Sequence, residues 1–203
     1  MKKKTRLIMV IVALFVAVNV KYVTVSRAQS IDVDKATDIG LKVAESGKNE
    51  DVQKTSCNLF AWCKDVAGKK EIIGTISSDK FVTALAATDQ DEDILLRACG
   101  INPKLSDENH LTIVGHNTQN ALGQLKGKLF THLKELKPGD TITLDTEYGQ
   151  YKATVTFSEY VTIEEYKKDS YKILLNGDIS LASCEWDKEG VKGRHVVFAE
   201  VEK

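Results

Sequence analysis

From Glu71 onward, short apolar runs alternate with polar positions, and the runs are rich in Ile, Val, Thr, Tyr and Phe. This pattern predicts strands at Glu71–Ser77, Lys80–Ala86, Leu111–His116, Asp140–Thr146, Tyr151–Thr162, Ile179–Cys184 and Arg194–Val201. Tyr148-Gly149-Gln150 reads as a hairpin turn between two of them. In Arg194–Val201 apolar residues occupy both alternations, as in a strand covered on both faces. Helical pieces interrupt the series at Glu92–Ala98, Lys128–Leu136 and Ile163–Lys168. Pro138-Gly139-Asp140 ends the middle piece with turn chemistry. Asp89, Asp91, Glu92 and Asp93 precede Ile94-Leu95-Leu96, a charge placement that suits a helix N-terminus. Many short strands and few helices predict a mainly β fold, a barrel or a sandwich.

The chain before Glu71 follows another pattern. Ile39, Leu41, Val43 and Ala44 form one apolar patch, and Leu59, Phe60, Trp62, Cys63 and Val66 form a second. Gly47-Lys48-Asn49 separates them, so residues 29–69 read as a helical stalk or a pair of helices on the domain. Ahead of these, Lys2, Lys3, Lys4 and Arg6 stand before the apolar run Leu7–Val18, which continues to Val25 with Asn19 and Lys21 inside it. A positive segment followed by an apolar one is an export signal. Counted from Leu7 through Val25 it has 19 residues, about 28 Å as a helix at roughly 1.5 Å per residue. Residues 1–28 are therefore expected to be a single-pass N-terminal anchor with the rest of the chain outside the cell. Ser26-Arg27-Ala28 offers small residues for cleavage as the alternative. The resulting division is 1–28, 29–69 and 70–203.

Composition narrows the classes. The chain has 203 residues, 42% hydrophobic and 28% charged, enough to bury a core. Its formal net charge of -1, with no basic stripe, argues against a nucleic-acid binder. The four cysteines are Cys57, Cys63, Cys99 and Cys184, and no matched Cys-x2-Cys pairs are present to hold a structural zinc. Three cysteines besides Cys184 leave an odd one under any pairing. An unpaired thiol in an exported chain is either buried and inert or catalytic.

Cys184 ends the strand Ile179-Ser180-Leu181-Ala182-Ser183, and its same-side neighbours Ser180 and Ala182 are small, which leaves room for an extended substrate. A free thiol has a pKa near 8.5, so a useful nucleophile needs a cation or base beside it. Of the histidines, His116 is best placed, after the strand Leu111–Gly115. His132 falls on a solvated helix face, His195 alternates away from Arg194, and His110 reads as a loop residue. Arg194 opens the last strand, and the loop Glu185–Gly193 can fold it back beside Cys184. Its guanidinium then supports an oxyanion or a substrate carbonyl. The plainer role is an ion pair with Glu185, Asp187 or Glu189.

Together these segments resemble the sortase family. Val114-Gly115-His116-Asn117 is similar to its Gly-His segment. Leu129-Phe130-Thr131-His132-Leu133, and Leu136 through Ile142, resemble the stretch that follows. Ser180-Leu181-Ala182-Ser183-Cys184 resembles a Thr-Leu-x-Thr-Cys signature with Ser for both Thr, and Arg194-His195-Val196-Val197 resembles the Arg-bearing final strand. The likeness covers roughly residues 70–203. It implies a closed eight-stranded β-barrel with a few short helices. It also implies a cysteine transpeptidase that cuts a C-terminal Leu-Pro-x-Thr-Gly-like sorting signal and passes the product to an amine of the cell wall or of a pilin.

Carried over, Cys184 is the nucleophile, His116 the acid and base, and Arg194 the substrate and oxyanion support. The backbone N–H of Glu185 is a second oxyanion donor, and Ser180, Ala182 and Ser183 lie beside the substrate. The resemblance implies no cofactor and no metal. Calcium, which some sortases bind, would fall to Asp107 and Glu108 with Glu164, Glu165 or Asp169, which otherwise read as solvated acidic loops. The localisation implied is the outer face of a Gram-positive-type cell membrane. The short connection after Thr162 is closer to classes A and D, whereas the Cys-to-Arg spacing and the Gly-His-Asn wording look like class B. No Asp-Pro-Trp-type plug precedes Glu71. The competing readings are another exported cysteine peptidase or L,D-transpeptidase, and a membrane-anchored β-barrel binding module.

Overall fold

Strict alternation builds the inner face of the barrel. In Thr141–Thr146 the side chains of Ile142, Leu144 and Thr146 are buried while Thr141 is exposed, the two-residue period of a strand with one face on a core. Eight such strands are present: β1 Ile72–Ser77, β2 Val82–Ala86, β3 Cys99–Ile101, β4 Leu111–Gly115, β5 Thr141–Thr146, β6 Gly149–Thr162, β7 Ile179–Asp187 and β8 Gly190–Val201. The computed structural model describes residues 33–46, 68–69, 71–107, 109–119, 127–146, 149–187 and 190–202.

The strands close in the order β1-β2-β3-β4-β7-β8-β6-β5, so the expected closed eight-stranded barrel is the observed fold. The pairs β2–β3 and β4–β7 are parallel and the others antiparallel. Closure removes exposed sheet edges. The barrel interior is filled by Ile76, Leu85, Ile101, Ile113, Leu144, Leu181 and their neighbours, all fully buried. Each such side chain contributes about 1.5–3 kcal/mol of transfer free energy.

Strand ends differ from the sequence reading by a residue or two, except at β7, which runs on to Asp187, and β8, which begins at Gly190. β3 carries no sequence pattern of its own, being three residues that contain a Cys and a Gly. Tyr148 of the expected turn lies outside the described residues, and Gly149 and Gln150 already belong to β6. β8 is covered on both faces as expected: Val197 and Ala199 point into the barrel, whereas Val196 packs outside with Ala182 and Leu174.

The helices are α1 (33–46), α2 (Glu92–Leu95), a 3-10 helix at Phe130–Glu135, and α3 (Ile163–Leu174). Asp91 caps α2, its Oδ1 accepting from the Ile94 N–H at 3.2 Å, with Glu92 and Asp93 in the first turn as the charge pattern predicts. Phe130 and Leu133 of the 3-10 helix are fully buried in the barrel core. α3 fills the connection between β6 and β7, and Asp169 breaks its backbone regularity.

α1 lies on the barrel through Val33, Ala36 and Ala44. It comes so close that a Cβ on Gly40 would stand 2.2 Å from the Gly74 carbonyl oxygen. The described helices do not bear out the expected membrane localisation. Among the described residues no helix is long and apolar enough to cross a membrane. α1, with 14 residues, is about 21 Å long at roughly 1.5 Å per residue, against a hydrocarbon core of about 30 Å. Residues 1–28 lie outside the described residues, as do Cys57 and Cys63.

Candidate active site

Three adjacent strands bring the sequence-predicted triad to one end of the barrel. β4 and β7 run parallel, with Gly115 opposite Ser183, so His116 and Cys184 are each the next residue along neighbouring strands. β7 and β8 run antiparallel with Cys184 directly opposite Arg194. Residues far apart in sequence therefore share one register position, with Cys184 between the histidine and the arginine. Gly115 is required here because a Cβ would lie 2.5 Å from the Cys99 Sγ and 2.8 Å from the Phe130 ring. The close approach at Gly115 is made by core side chains.

Cys184 is half-buried. Burial pushes its thiol above the usual cysteine range, the Arg194 charge opposes this, and the Glu185 charge adds to it. The resting group is therefore a thiol at neutral pH. Cys99, by contrast, is a free thiol buried in the core, with its pKa pushed well up by burial, and is inert.

His116 is 38% exposed, and its Nε2 lies 4.0 Å from Glu92 Oε2 at the start of α2. No hydrogen bond joins it to Cys184 among the described residues. Its carbonyl accepts from the Phe130 N–H at 3.1 Å, which ties the residue to the 3-10 helix. Arg194 donates from Nη1 to the Gly193 carbonyl at 3.1 Å, and its Cζ sits over the Tyr166 ring, 5.1 Å from the centroid. Among the described residues it makes no ion pair. Glu185 turns instead to Lys134, with Oε2 3.7 Å from Nζ, and its Oε1 is buried without a partner among the described residues.

The other histidines are accounted for structurally. His195 faces away from Arg194, with Nε2 2.8 Å from Ser158 Oγ. Burial, and then the Lys134 charge, lower its pKa to about 4, so it is neutral at neutral pH. His132 pairs with Glu135 at 2.8 Å. His110 lies in a loop, as read, but is buried: Nδ1 donates to the Gly177 carbonyl at 2.8 Å, and Nε2 faces Thr112 Oγ1 at 3.0 Å and Ser180 Oγ at 3.2 Å.

This network corrects one expectation. Ser180 and Ala182 are fully buried and do not line an open cleft. Their small side chains make room for α3, whose Leu174 packs against Ala182 and Val196. Ser183 points to the opposite side of β7 and is also buried. The acidic residues considered for calcium are engaged separately. Glu165 Oε2 accepts from Thr162, Asp169 pairs with Lys172 at 3.0 Å, and Asp107 Oδ1 accepts from the Asn109 N–H at 2.8 Å. Glu108 lies outside the described residues. Among the described residues no three His, Cys, Asp or Glu side chains cluster to hold a metal ion.

Sequence reasoning missed Tyr166, Lys134 and Glu92. Each approaches the site from a separate helix, and no local motif announces such contacts.

A closed eight-stranded barrel with Cys184 of β7 opposite Arg194 of β8, and His116 directly after β4, defines the class of fold and site. The family model described as Sortase domain matches residues 75–202, and the chain belongs to the sortase family of transpeptidases. Sortase C of Streptococcus pneumoniae is 16% identical with a TM-score of 0.60, covering 82% of this chain and 97% of that one. Sortase C of Clostridium perfringens, solved with the C-terminal cell wall sorting motif, is 19% identical with a TM-score of 0.51, covering 93% and 99%. Sortase A of Listeria monocytogenes is 20% identical with a TM-score of 0.50, covering 65% and 88%. No curated protein matches the sequence.

Proposed function

We propose that this sortase cleaves a C-terminal Leu-Pro-x-Thr-Gly-like sorting signal through a thioacyl intermediate on Cys184, and transfers the product to an amine of the cell wall or of a pilin. The observation that carries this reading is the pairing of Cys184 with Arg194 across β7–β8, with His116 ending the parallel neighbour β4. The C. perfringens relative solved with the C-terminal cell wall sorting motif supports the substrate class. The pilin substrate specificity reported for the S. pneumoniae enzyme supports a pilin amine as one acceptor.

The chemistry follows from the groups present. His116 takes the Cys184 proton and Sγ attacks the threonine carbonyl carbon. The C–S bond forms and the carbonyl oxygen becomes an oxyanion, held by Arg194 and the backbone N–H of Glu185, beside which a β-bulge interrupts the regular ladder. Collapse breaks the C–N bond, and His116 protonates the departing glycine amine. The acceptor amine then attacks the thioester, His116 takes its proton, the C–S bond breaks with the electron pair on sulfur, and His116 returns the proton to Cys184.

A panel of sorting-signal peptides, with intact-mass analysis of the protein, tests this. The expected result is a thioacyl adduct on Cys184 with release of the glycine-bearing fragment, and neither with Cys184→Ala. Absence of an adduct with every peptide overturns the substrate assignment.

A further inference from the structure

The groups around Arg194 leave one question open. Its charge is needed beside Cys184, yet no carboxylate among the described residues holds it in place. An ion pair would fix the guanidinium but would also neutralise it and occupy the N–H donors that a substrate carbonyl needs. An aromatic side chain avoids the first cost, because the ring attracts the cation while carrying no charge of its own.

The structure supplies such a side chain. Val161, near the end of β6, lies directly opposite Arg194 in the β6–β8 ladder. The chain then enters α3 through a reciprocal cap: the Glu165 N–H donates to Thr162 Oγ1 at 3.2 Å, and the Thr162 N–H donates to Glu165 Oε2 at 3.1 Å. This Thr-x-x-Glu capping box locks the first helical turn. Tyr166 follows immediately, so its ring is delivered over the arginine, with Cζ 5.1 Å from the centroid. Beyond the break at Asp169, Leu174 is buried against Ala182 and Val196, and Tyr166 packs on the same cluster. Both parts of α3 therefore bear on the outer wall behind Cys184. Burial raises the Tyr166 phenol above its usual range, while the Arg194 charge and a hydrogen bond from Arg194 oppose the rise, so the ring is neutral at working pH.

We propose that Tyr166 is a positioning residue of this enzyme, its ring holding the Arg194 guanidinium beside Cys184 without neutralising its charge. The inference rests on the reading of Arg194 as the substrate and oxyanion support.

The test compares wild type, Tyr166→Phe, Tyr166→Leu, Arg194→Gln and the double variant Tyr166→Leu/Arg194→Gln, by peptide cleavage and by the pH profile of Cys184 alkylation. Tyr166→Leu is expected to lower kcat by about tenfold, with a smaller change in KM. Tyr166→Phe keeps the ring face and recovers most of that loss. In the Arg194→Gln background, Tyr166→Leu is expected to add less than about twofold, because the two residues act as one unit. Full activity in Tyr166→Leu, or an undiminished loss without Arg194, overturns the proposal. So does a loss in Tyr166→Phe equal to that in Tyr166→Leu, which would assign the role to the hydroxyl.

The alkylation profile needs no peptide and separates this inference from the functional reading. The clamp requires that Tyr166→Leu move the Cys184 midpoint upward, as Arg194→Gln does. A protein that cleaves no sorting peptide yet shows this shift loses the substrate assignment and keeps the clamp. An unmoved midpoint removes the clamp whatever the peptides show.

Discussion

Cys184 sits between opposing charges. Arg194 across the ladder favours the thiolate, while burial and the adjacent Glu185 disfavour it. Glu185 is only 15% exposed at its side chain and leans on Lys134. Glu185→Gln removes the negative charge but keeps the backbone N–H assigned to the oxyanion. The Lys134 charge is then left without its carboxylate. Both changes favour the thiolate, so the Cys184 midpoint in an alkylation profile is expected to move to lower pH. A midpoint that stays or rises would show that Glu185 does not tune the nucleophile.

At the scale of elements, the end of β4 decides where His116 stands. Gly115 is pressed between Cys99 and Phe130, and Phe130 is fully buried in the 3-10 helix that fills one end of the barrel. A methyl group here has no space to enter. Gly115→Ala is expected to cost about 1–3 kcal/mol of stability, as other overpacking changes do. It is also expected to reduce peptide cleavage by displacing His116. Urea unfolding and a cleavage assay on the same variant check the two effects. A neutral result in both would mean that the β4 end tolerates movement and that His116 does not depend on it.

Element boundaries also show what could be read in advance. The strands were legible wherever alternation ran for five or more residues, as in β5 and β6. β3 was not, because Cys99-Gly100-Ile101 is held by its neighbours β2 and β4 and has no period of its own. The segment Lys128–Leu136 has helical spacing, yet only a 3-10 helix forms, at Phe130–Glu135. α3 extends beyond the predicted Ile163–Lys168 to Leu174, since packing on Ala182 and Val196 stabilises turns that weak local periodicity does not.

Whole-molecule stability has a titrating component at His195. The residue joins β8 to Ser158 of β6, under the positive charge of Lys134. Its pKa falls from 6.5 to about 4 in the fold. Above pH 6.5 it is neutral in both the folded and the unfolded chain and costs nothing. As pH falls from 6.5 toward 4, the unfolded chain takes up a proton that the fold refuses, so this part of the stability is lost. Urea midpoints measured across that window should fall with pH in the wild type. In His195→Gln, which cannot titrate, the decline should be shallower. Equal slopes in the two proteins would show that His195 is not buried in its neutral form.

The sequence by itself determined the mainly β architecture, the residue types capable of thiol chemistry, and the order in which they occur along the chain. Alternation and the flanking motifs are local properties, and residue patterns carry them directly. The register that sets Cys184 opposite Arg194 and beside His116 was decided only by barrel closure, because a one-residue slip of any strand would turn these side chains to the other face. Tertiary packing also placed the Tyr166 ring over Arg194, turned Glu185 toward Lys134, covered Ala182 with α3, and joined Ser180 to His110 and Thr112. Those contacts join separate elements in space, and neither spacing nor composition along one strand specifies which distant side chain will meet it.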